Sequence, residues 1–325
     1  IGVIYARPRA REFAAAWRAA VRDHPDRWDQ AVFNDLLKER GGPAPSAAEV
    51  RRLQGLRLLR SQSNRFAPIN FGVLPIALFT SGHTWCVSKL PERRGSPPLA
   101  YHTAFVFSGG RGKRHRMREH MVWYDPPSYY RPEPGEVGFL VLSGDIPREV
   151  LEPRGPQDGT GTGNMTVAWH FALANWQIAR VRSGLLLARR LRRRLIMPRL
   201  ICGFDRWWAP HVGIIPHSST RLPIPDCPMD HIFSVESIPF DWMPREYSFL
   251  ENPRLPAEVR DSWHKVPSPN YASATAFLQE LASPEAERAA VLEVSHVADV
   301  FDIFRRSDDP EVAALADNFE KAAKG

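Results

Sequence analysis

The sequence predicts an α/β fold arranged as two successive domains. Its 325 residues exceed the length of one ordinary domain, which is about 150 residues. Amphipathic helical segments alternate with short apolar runs that have the length of buried strands. A stretch rich in Gly, Asp and Thr, residues 155–165, has the composition of a linker. We therefore divide the chain into a first domain at residues 1–154 and a second at residues 166–325.

The first domain opens with an apolar run that proline closes. This run, residues 1–8 (IGVIYARP), has the pattern of a buried strand. Beyond it, Phe13, Trp17 and Val21 recur at helical spacing and predict a first helix. The next segment, residues 23–42, predicts a turn and a second helix that ends at a glycine pair.

Strands predominate in the rest of the first domain. Residues 56–82 are apolar and interrupted by prolines, which predicts several short strands. Residues 99–107 (LAYHTAFVF) have a strand pattern and lead into the turn SGGRG. Residues 137–147 predict one more strand before the linker.

A long helix and two strands build the second domain. Residues 170–194 alternate apolar and basic positions as a long helix does, and residues 195–198 (LIMP) then predict a strand. The basic run RRLRRRL, residues 189–195, resembles a nuclear-localisation or nucleic-acid patch. We favour a helix end there, because cations are stabilised near the last carbonyls of a helix. Residues 289–301 predict a later strand.

The composition gives little support to a nucleic-acid or membrane partner. A net charge of +7 and a pI near 9.6 fit an anionic partner, but arginine supplies 37 of the 43 basic residues and is spread along the chain. That distribution is typical of a coding bias, so we expect no nucleic-acid partner. No apolar run reaches the roughly 20 residues of a membrane span. The three cysteines lack the paired C-x-x-C spacing of a zinc site.

The densest basic cluster follows a glycine turn. Gly109 and Gly110 precede Lys113 and Arg116, and the turn amides together with both side chains can converge on a diphosphate. The alternative is a solvated basic loop. His102 lies shortly upstream, and its alternative role is that of a hydrogen-bonded core histidine.

Asp29 and Gln30 stand at the entrance of the predicted second helix. At such a position a carboxylate can cap exposed backbone amides, which is the structural alternative to a role in chemistry.

Taken with His102 and the glycine turn, these residues resemble the pattern of nucleotide-diphospho-sugar transferases. The family is glycosyltransferase family 77, and the chain most resembles the extensin arabinosyltransferases of plants and algae. Five segments carry the resemblance in the same order: WDQAVFN (28–34), SGHTWCVSK (81–89), HTAFVFSGGRGKRHRMREHMVWYDPPSYY (102–130), HFALANWQIARVRSGLLLARRLRRRLIMP (170–198) and CGFDRWWAPHVGIIPHSSTRLPIPDCPMDHIF (202–233). The similarity covers residues 1 to about 262 and fades thereafter.

The resemblance implies the C-terminal part of a GT-A-type transferase domain followed by a second α/β domain. It also implies a retaining, metal-dependent enzyme that takes arabinofuranose from a UDP-sugar, with Mn²⁺ as the metal. The acceptor would be the hydroxyproline-linked arabinosides of extensin-like cell-wall glycoproteins. The expected location is the Golgi lumen, as a type II membrane protein.

The resemblance also implies roles for particular residues. His102 would complete the coordination of the metal, and Gly109, Gly110, Lys113 and Arg116 would neutralise the leaving diphosphate. Asp29 and Gln30 match positions that face the reacting sugar carbon in related retaining enzymes.

One departure from the family pattern concerns the D-x-D metal motif. That motif lies upstream of the segment that corresponds to residues 1–8, so we expect this chain to be a fragment that lacks the D-x-D half and the membrane anchor. We expect such a fragment to be incomplete for activity. The alternative is a catalytically inactive module of the same fold that binds sugar or acts as a scaffold.

The oxidising lumen that the resemblance implies bears on two cysteines. Cys202 and Cys227 bracket a proline-rich loop, and we expect them to form a disulfide. Their α-carbons should then lie within about 7 Å of each other.

Overall fold

The computed structural model describes residues 4–39, 46–61, 63–152, 166–207, 213–215, 219–267, 272–295 and 300–324. The chain divides into two compact units. Unit 1 contains residues 1–81 and 91–102, and unit 2 contains residues 82–90 and 103–325.

Unit 1 combines helices with two small sheets. Its helices are α1 (Arg11–Asp23), α2 (Asp29–Lys38) and α3 (Ala47–Gly55), and its strands are β1 (Leu59–Ser61), β2 (Ile69–Phe71), β3 (Phe79–Ser81) and β4 (Ala100–His102). Strands β1 and β2 pair antiparallel, whereas β3 and β4 pair parallel. The core lies between α1 and α2, where the ring of Phe13 meets those of Phe33 and Phe66 edge to face at 5.4 and 5.1 Å.

Unit 2 is built around one parallel sheet of four strands. The strands are β5 (Gly138–Ser143), β6 (Arg193–Ile196), β7 (Trp263–Val266) and β8 (Val291–Ser295), in the spatial order β6-β5-β8-β7. The helices are α4 (Gly82–Cys86), α5 (Leu90–Arg93, which crosses into unit 1), α6 (Gly109–Glu119), α7 (Arg148–Leu151), α8 (Val167–Arg190), α9 (Ala257–Arg260), α10 (Ala274–Leu281), α11 (Pro284–Arg288), α12 (Val300–Arg305) and α13 (Pro310–Lys324). Strands β5, β6 and β8 are buried almost throughout, as expected of a parallel sheet covered on both faces.

The long helix α8 packs closely on this sheet. A side chain at Gly184 would approach Leu142 Cδ1 to 2.5 Å and Leu195 Cδ1 to 3.2 Å, so glycine lets the helix backbone lie against β5 and β6. Thr166 caps the helix by accepting a hydrogen bond from the Trp169 amide at 3.1 Å.

Several predicted elements are present. Three predicted helices are confirmed. The helix predicted from the spacing of Phe13, Trp17 and Val21 is α1, the one predicted at Asp29 is α2, and the one predicted after residue 170 is α8. The apolar run before the linker is β5, and the run near residue 291 is β8.

Other predictions require correction. Residues 4–7 of the predicted first strand are exposed and outside any strand, and residues 1–3 lie outside the described residues. The strand predicted at residues 99–107 is limited to β4. The strand predicted at residues 195–198 begins two residues earlier, at Arg193, and ends at Ile196.

The two compact units also divide the chain differently from the predicted domains. Strand β5 precedes the predicted linker, yet it pairs with β6 and β8, which follow it. Because one hydrogen-bonded ladder joins these strands, residues 138–143 share a core with the second half of the chain. The linker itself, residues 155–165, lies outside the described residues.

The basic run 189–195 explains why the predicted start of β6 was two residues too late. Arg193 and Arg194 are each only 5% exposed. Arg193 donates to the carbonyls of Ala286 and Ala289 at 2.6 and 2.9 Å, and Arg194 pairs with Glu136 at 2.5 Å. These arginines therefore stabilise the sheet from inside unit 2.

Candidate functional site

The predicted glycine turn is the beginning of helix α6. Ser108 and Gly109 both have left-handed backbone angles, with φ of 63° and 49°. A side chain at Gly109 would collide with Glu236, and one at Gly112 would collide with the Phe107 carbonyl. At Gly110, in contrast, an added Cβ would meet nothing within 4 Å. The chain thus enters α6 through a tight turn that needs glycine at two positions and is open at a third.

The two basic residues predicted for the diphosphate lie in different surroundings. Lys113 is exposed on α6, whereas Arg116 is fully buried. Arg116 Nε donates to Asp230 Oδ1 at 2.8 Å, and Nη1 donates to the Gly82 carbonyl at 3.2 Å. Burial alone would lower the pKa of Arg116, but the Asp230 carboxylate outweighs it and the pKa is raised. The predicted contact of Arg116 with a diphosphate does not fit this position, because its guanidinium already holds α6 to unit 2.

Two histidines and a second aspartate lie next to the Arg116–Asp230 pair. His231 Nδ1 accepts a hydrogen bond from Arg116 Nη2 at 3.1 Å, so its proton lies on Nε2, which donates to Asp205 Oδ1 at 3.2 Å. His83 Nε2 lies 2.7 Å from Asp205 Oδ2. Burial alone would raise the pKa of Asp205, but the hydrogen bonds from His231 and His83 lower it strongly.

Asp230 connects this cluster to the segment that leads into α6. Its Oδ2 accepts a hydrogen bond from the Phe107 amide at 2.8 Å. Burial alone would raise the pKa of Asp230, but the charge of Arg116 and its hydrogen bond to the carboxylate lower it. We call Arg116, Asp230, His231, Asp205 and His83 the buried charge cluster.

A disulfide holds the two loops that supply the cluster. Cys202 and Cys227 are bonded, with their α-carbons 5.7 Å apart, which confirms the predicted pairing. The loops also exchange backbone hydrogen bonds between Cys202 and Ile224 at 2.8 and 3.1 Å. Each cysteine stands three residues before an aspartate of the cluster, Asp205 or Asp230.

The same buried face of α6 carries a second ionisable pair. His115 Nε2 lies 3.4 Å from Glu119 Oε1, and Glu119 also accepts from the Met229 amide at 3.0 Å. Burial alone would lower the pKa of His115, but Glu119 outweighs it and the pKa is raised. At the end of the helix, burial and the charge of Lys89 lower the pKa of His120 to about 4.

Asp29 and Gln30 begin helix α2 in unit 1, as predicted. Asp29 is exposed, and its Oδ1 accepts a hydrogen bond from the Gln30 amide at 2.8 Å. Trp17 Nε1 donates to the Asp29 carbonyl at 3.1 Å and thereby fixes the start of the helix against α1. The hydrogen bond from the Gln30 amide to the Asp29 carboxylate fits the capping role that was the alternative to a role in chemistry. A role of either residue at the reacting sugar carbon stays a prediction.

His102 is the exposed last residue of β4, where it pairs in register with Ser81 of β3. Within the described ranges, no group of three His, Cys, Asp or Glu side chains is arranged to hold a metal ion. Hard cations require several oxygen ligands, mostly carboxylates. The described residues therefore do not fit a complete metal site, and we assign no step to a metal.

Sequence reasoning missed most of the buried charge cluster. His83, Asp205, Asp230 and His231 lie inside segments that carry only the family resemblance. One sequence signal points to the two aspartates: each of Cys202 and Cys227 is followed three positions later by an aspartate.

Comparison with known proteins identifies the first part of the chain. Residues 1–117 match the family model described as nucleotide-diphospho-sugar transferase. These residues are similar to members of that transferase family. The match contains Asp29, Gln30 and His102 and extends into α6 as far as Met117.

A curated relative extends the similarity beyond the transferase match. The chain is 37% identical over 278 residues to arabinosyltransferase XEG113 of Arabidopsis thaliana, a region that covers 82% of this chain and 39% of that protein. The chain thus spans about two-fifths of the relative's length. No solved structure matches the chain. Both matches are to glycosyltransferases and confirm the resemblance drawn from the sequence motifs.

In the part of the chain that the structure describes, no helix combines the length and apolar character needed to cross a bilayer.

Proposed function

We propose that this protein transfers arabinofuranose from a UDP-sugar to hydroxyproline-linked arabinosides of extensin-like glycoproteins, with retention of configuration. The observation that carries the proposal is the similarity to an arabinosyltransferase over 82% of the chain, together with the transferase match of residues 1–117. The donor class follows from the family, whereas the sugar, the acceptor and the stereochemistry are our proposals.

The start of helix α6 is the part of the chain that we assign to the leaving diphosphate. Backbone amides at the first turn of a helix carry partial positive charge and are natural partners of phosphate oxygens. The space beside Gly110 leaves this end of the helix accessible, and Lys113 is exposed one turn further along. Charge-assisted hydrogen bonds from Lys113 would offset the negative charge that develops as the sugar departs.

Arg116 has a different role in this proposal. Its bonds to Asp230 and the Gly82 carbonyl fix α6 within unit 2, so it positions the turn and Lys113 without touching the donor.

Asp29 and Gln30 are the residues that we assign to the sugar. Both stand at the start of α2, and the hydrogen bond from Trp17 to the Asp29 carbonyl keeps this end of the helix in place.

We also propose that a divalent cation, Mn²⁺, assists binding of the donor and that His102 is one of its ligands. A cation at His102 would need additional oxygen ligands. A Golgi location as a type II membrane protein is part of the same proposal, and the Cys202–Cys227 disulfide supports an oxidising compartment.

The role of α6 is tested by calorimetric titration of UDP into the product of the whole coding sequence. Losing a hydrogen bond to a charged partner weakens affinity by about tenfold to a hundredfold, which is the expected effect of Lys113→Ala. Arg114→Ala removes the neighbouring exposed cation of α6 and is the matched control, expected to bind UDP as the unmodified protein does. Equal losses in the two variants, or no loss in Lys113→Ala, would refute the assignment.

A sugar-transfer assay separates the enzyme from the inactive module. Transfer of arabinofuranose to a hydroxyproline-arabinoside peptide supports the proposal. Retained binding of UDP-sugar without transfer would instead support a sugar-binding module of the same fold.

A further inference from the structure

Three aromatic side chains form an exposed shelf beside the buried charge cluster. Trp207 stacks on Phe107, with ring centroids 4.7 Å apart and planes inclined by 20°, and meets Phe105 edge to face at 5.4 Å. We call Phe105, Phe107 and Trp207 the aromatic shelf. Phe105 is 43% exposed and Trp207 is 39% exposed, so the shelf presents aromatic surface to solvent.

Hydrogen bonds hold the shelf in place. Trp207 Nε1 donates to the Phe105 carbonyl at 3.0 Å, and the Phe107 amide donates to buried Asp230. The guanidinium of Arg206 lies 4.0 Å from the Phe107 ring centroid and donates to the Asp230 carbonyl at 2.9 Å. Ring orientation is therefore fixed before any ligand arrives, which lowers the entropic cost of binding.

The backbone beneath the shelf is strained. Phe105 has a left-handed φ of 57°, a conformation that bulky residues rarely adopt. Such strain persists where the surrounding contacts impose it, and it concentrates at ligand sites.

Polar groups border the apolar surface. The ring of His83, which is 12% exposed, lies 6.4 Å from that of Phe105 and is oriented by Asp205. Arg206 is exposed on the other side. The exposed Trp207 ring, with the Phe105 ring nearly perpendicular beside it and a few fixed polar groups, matches a sugar ring, which has an apolar C–H face and hydroxyls at its edge. An anionic ligand fits less well, because the Arg206 guanidinium is already engaged by Phe107 and Asp230.

We propose that the aromatic shelf binds a neutral sugar ring of the acceptor glycan, which stacks on Trp207 and packs its side against Phe105. This inference rests on the proposed glycosyltransferase function and assigns the acceptor side of it to named residues. Trp207 contacts the C–H face of the sugar ring and Phe105 contacts its edge, while His83 and Arg206 contact its hydroxyls.

The experiment measures binding of an arabinofuranose trisaccharide to the 325-residue chain by saturation-transfer NMR and calorimetry, without any donor. Loss of an aromatic stacking partner should weaken binding by about threefold to tenfold, so Trp207→Ala and Phe105→Ala are expected to lose that much affinity. Trp207→Phe should retain most of it. Trp263→Ala removes a tryptophan of similar exposure, 42%, from β7 and is the matched control.

The result of the binding experiment either supports or overturns the assignment of the aromatic shelf to a sugar ring. Weaker binding in the shelf variants alone, with unchanged circular dichroism, supports the proposal. Absence of trisaccharide binding at millimolar concentration, or equal losses in Trp207→Ala and Trp263→Ala, overturns it. Stronger binding of UMP than of trisaccharide at the shelf would assign it to the nucleotide and overturn it as well. Because no transfer is measured, these results are independent of the Lys113 titration that tests the donor role of α6.

Discussion

Arg116 and Asp230 show how burial determines the role of a charged residue. Their side chains are 0% and 1% exposed, and each satisfies the other at 2.8 Å. A sequence pattern of glycines followed by basic residues predicts where cations occur, but it does not distinguish the one that faces solvent from the one that faces the core. Arg116 is buried because it pairs with Asp230, which is 114 positions away along the chain, so no local pattern reveals the pairing.

The first prediction concerns the stability of this pair. Arg116→Met leaves the Asp230 carboxylate buried without its main partner, and we expect a loss of about 3–5 kcal/mol in the free energy of unfolding. Arg131→Ala removes an ion pair with Glu258 whose side chains are 56% and 61% exposed, and it should cost far less stability because solvent screens the pair. Urea titrations followed by tryptophan fluorescence compare the two. Similar losses would show that Arg116 is not a buried structural residue.

The second prediction concerns pH and His120. Its folded pKa of about 4 lies below the value near 6.5 of an unfolded histidine, because burial and Lys89 disfavour the charged ring. Between these two pH values His120 binds a proton in the unfolded chain but not in the folded chain. Stability should therefore fall as pH is lowered from about 6.5 to about 4, by about 1.4 kcal/mol per pH unit.

The variant His120→Gln isolates this contribution. We expect it to flatten the dependence of unfolding free energy on pH in that window. His115 has the opposite sign, since its raised pKa gives stability that is present below about 6.5 and is lost as pH rises through the folded value. An unaltered slope in His120→Gln would contradict the account.

At the scale of secondary structure, periodicity predicted the helices better than the strands. Helices α1, α2 and α8 follow from apolar spacing within a short window, which is local information. Strand β6 begins with two arginines whose partners lie in other elements, at Ala286, Ala289 and Glu136. Local patterns cannot identify such partners, so the buried start of β6 was assigned to a helix end.

The buried charge cluster depends on contacts of the same kind. His83 and Asp205 are 122 positions apart, and no local spacing joins them. The disulfide could be predicted, because the family resemblance implies an oxidising lumen and Cys202 and Cys227 bracket one proline-rich loop.

The third prediction tests the disulfide as a structural element. The double variant Cys202→Ala/Cys227→Ala should lose about 2–4 kcal/mol in the free energy of unfolding, because the open chain gains conformational entropy when unfolded. Reducing agent should destabilise the unmodified protein to a similar extent and leave the double variant unchanged, which controls for effects at Cys86. Unfolding midpoints that do not respond to reduction would show that the bridge contributes nothing to the fold.

At the scale of the whole molecule, the family could be predicted from the sequence, whereas the division of the chain could not. The motif segments were sufficient for the transferase family because they are continuous in sequence. The compact units are not continuous, since residues 82–90 belong to unit 2 while residues 91–102 belong to unit 1. The Gly-rich stretch 155–165 indicated a linker by composition, but strand pairing across it keeps both sides in one sheet.

The central claim is tested most directly by the donor sugar itself. The product of the whole coding sequence is incubated with a hydroxyproline-arabinoside peptide, Mn²⁺ and, in separate reactions, UDP-arabinofuranose, UDP-arabinopyranose, UDP-glucose and UDP-galactose, and the products are identified by NMR. We predict transfer from UDP-arabinofuranose alone, with the anomeric configuration of the donor retained in the product. Transfer of another sugar in its place, or no transfer from any of the four donors by a folded protein, would contradict the claim.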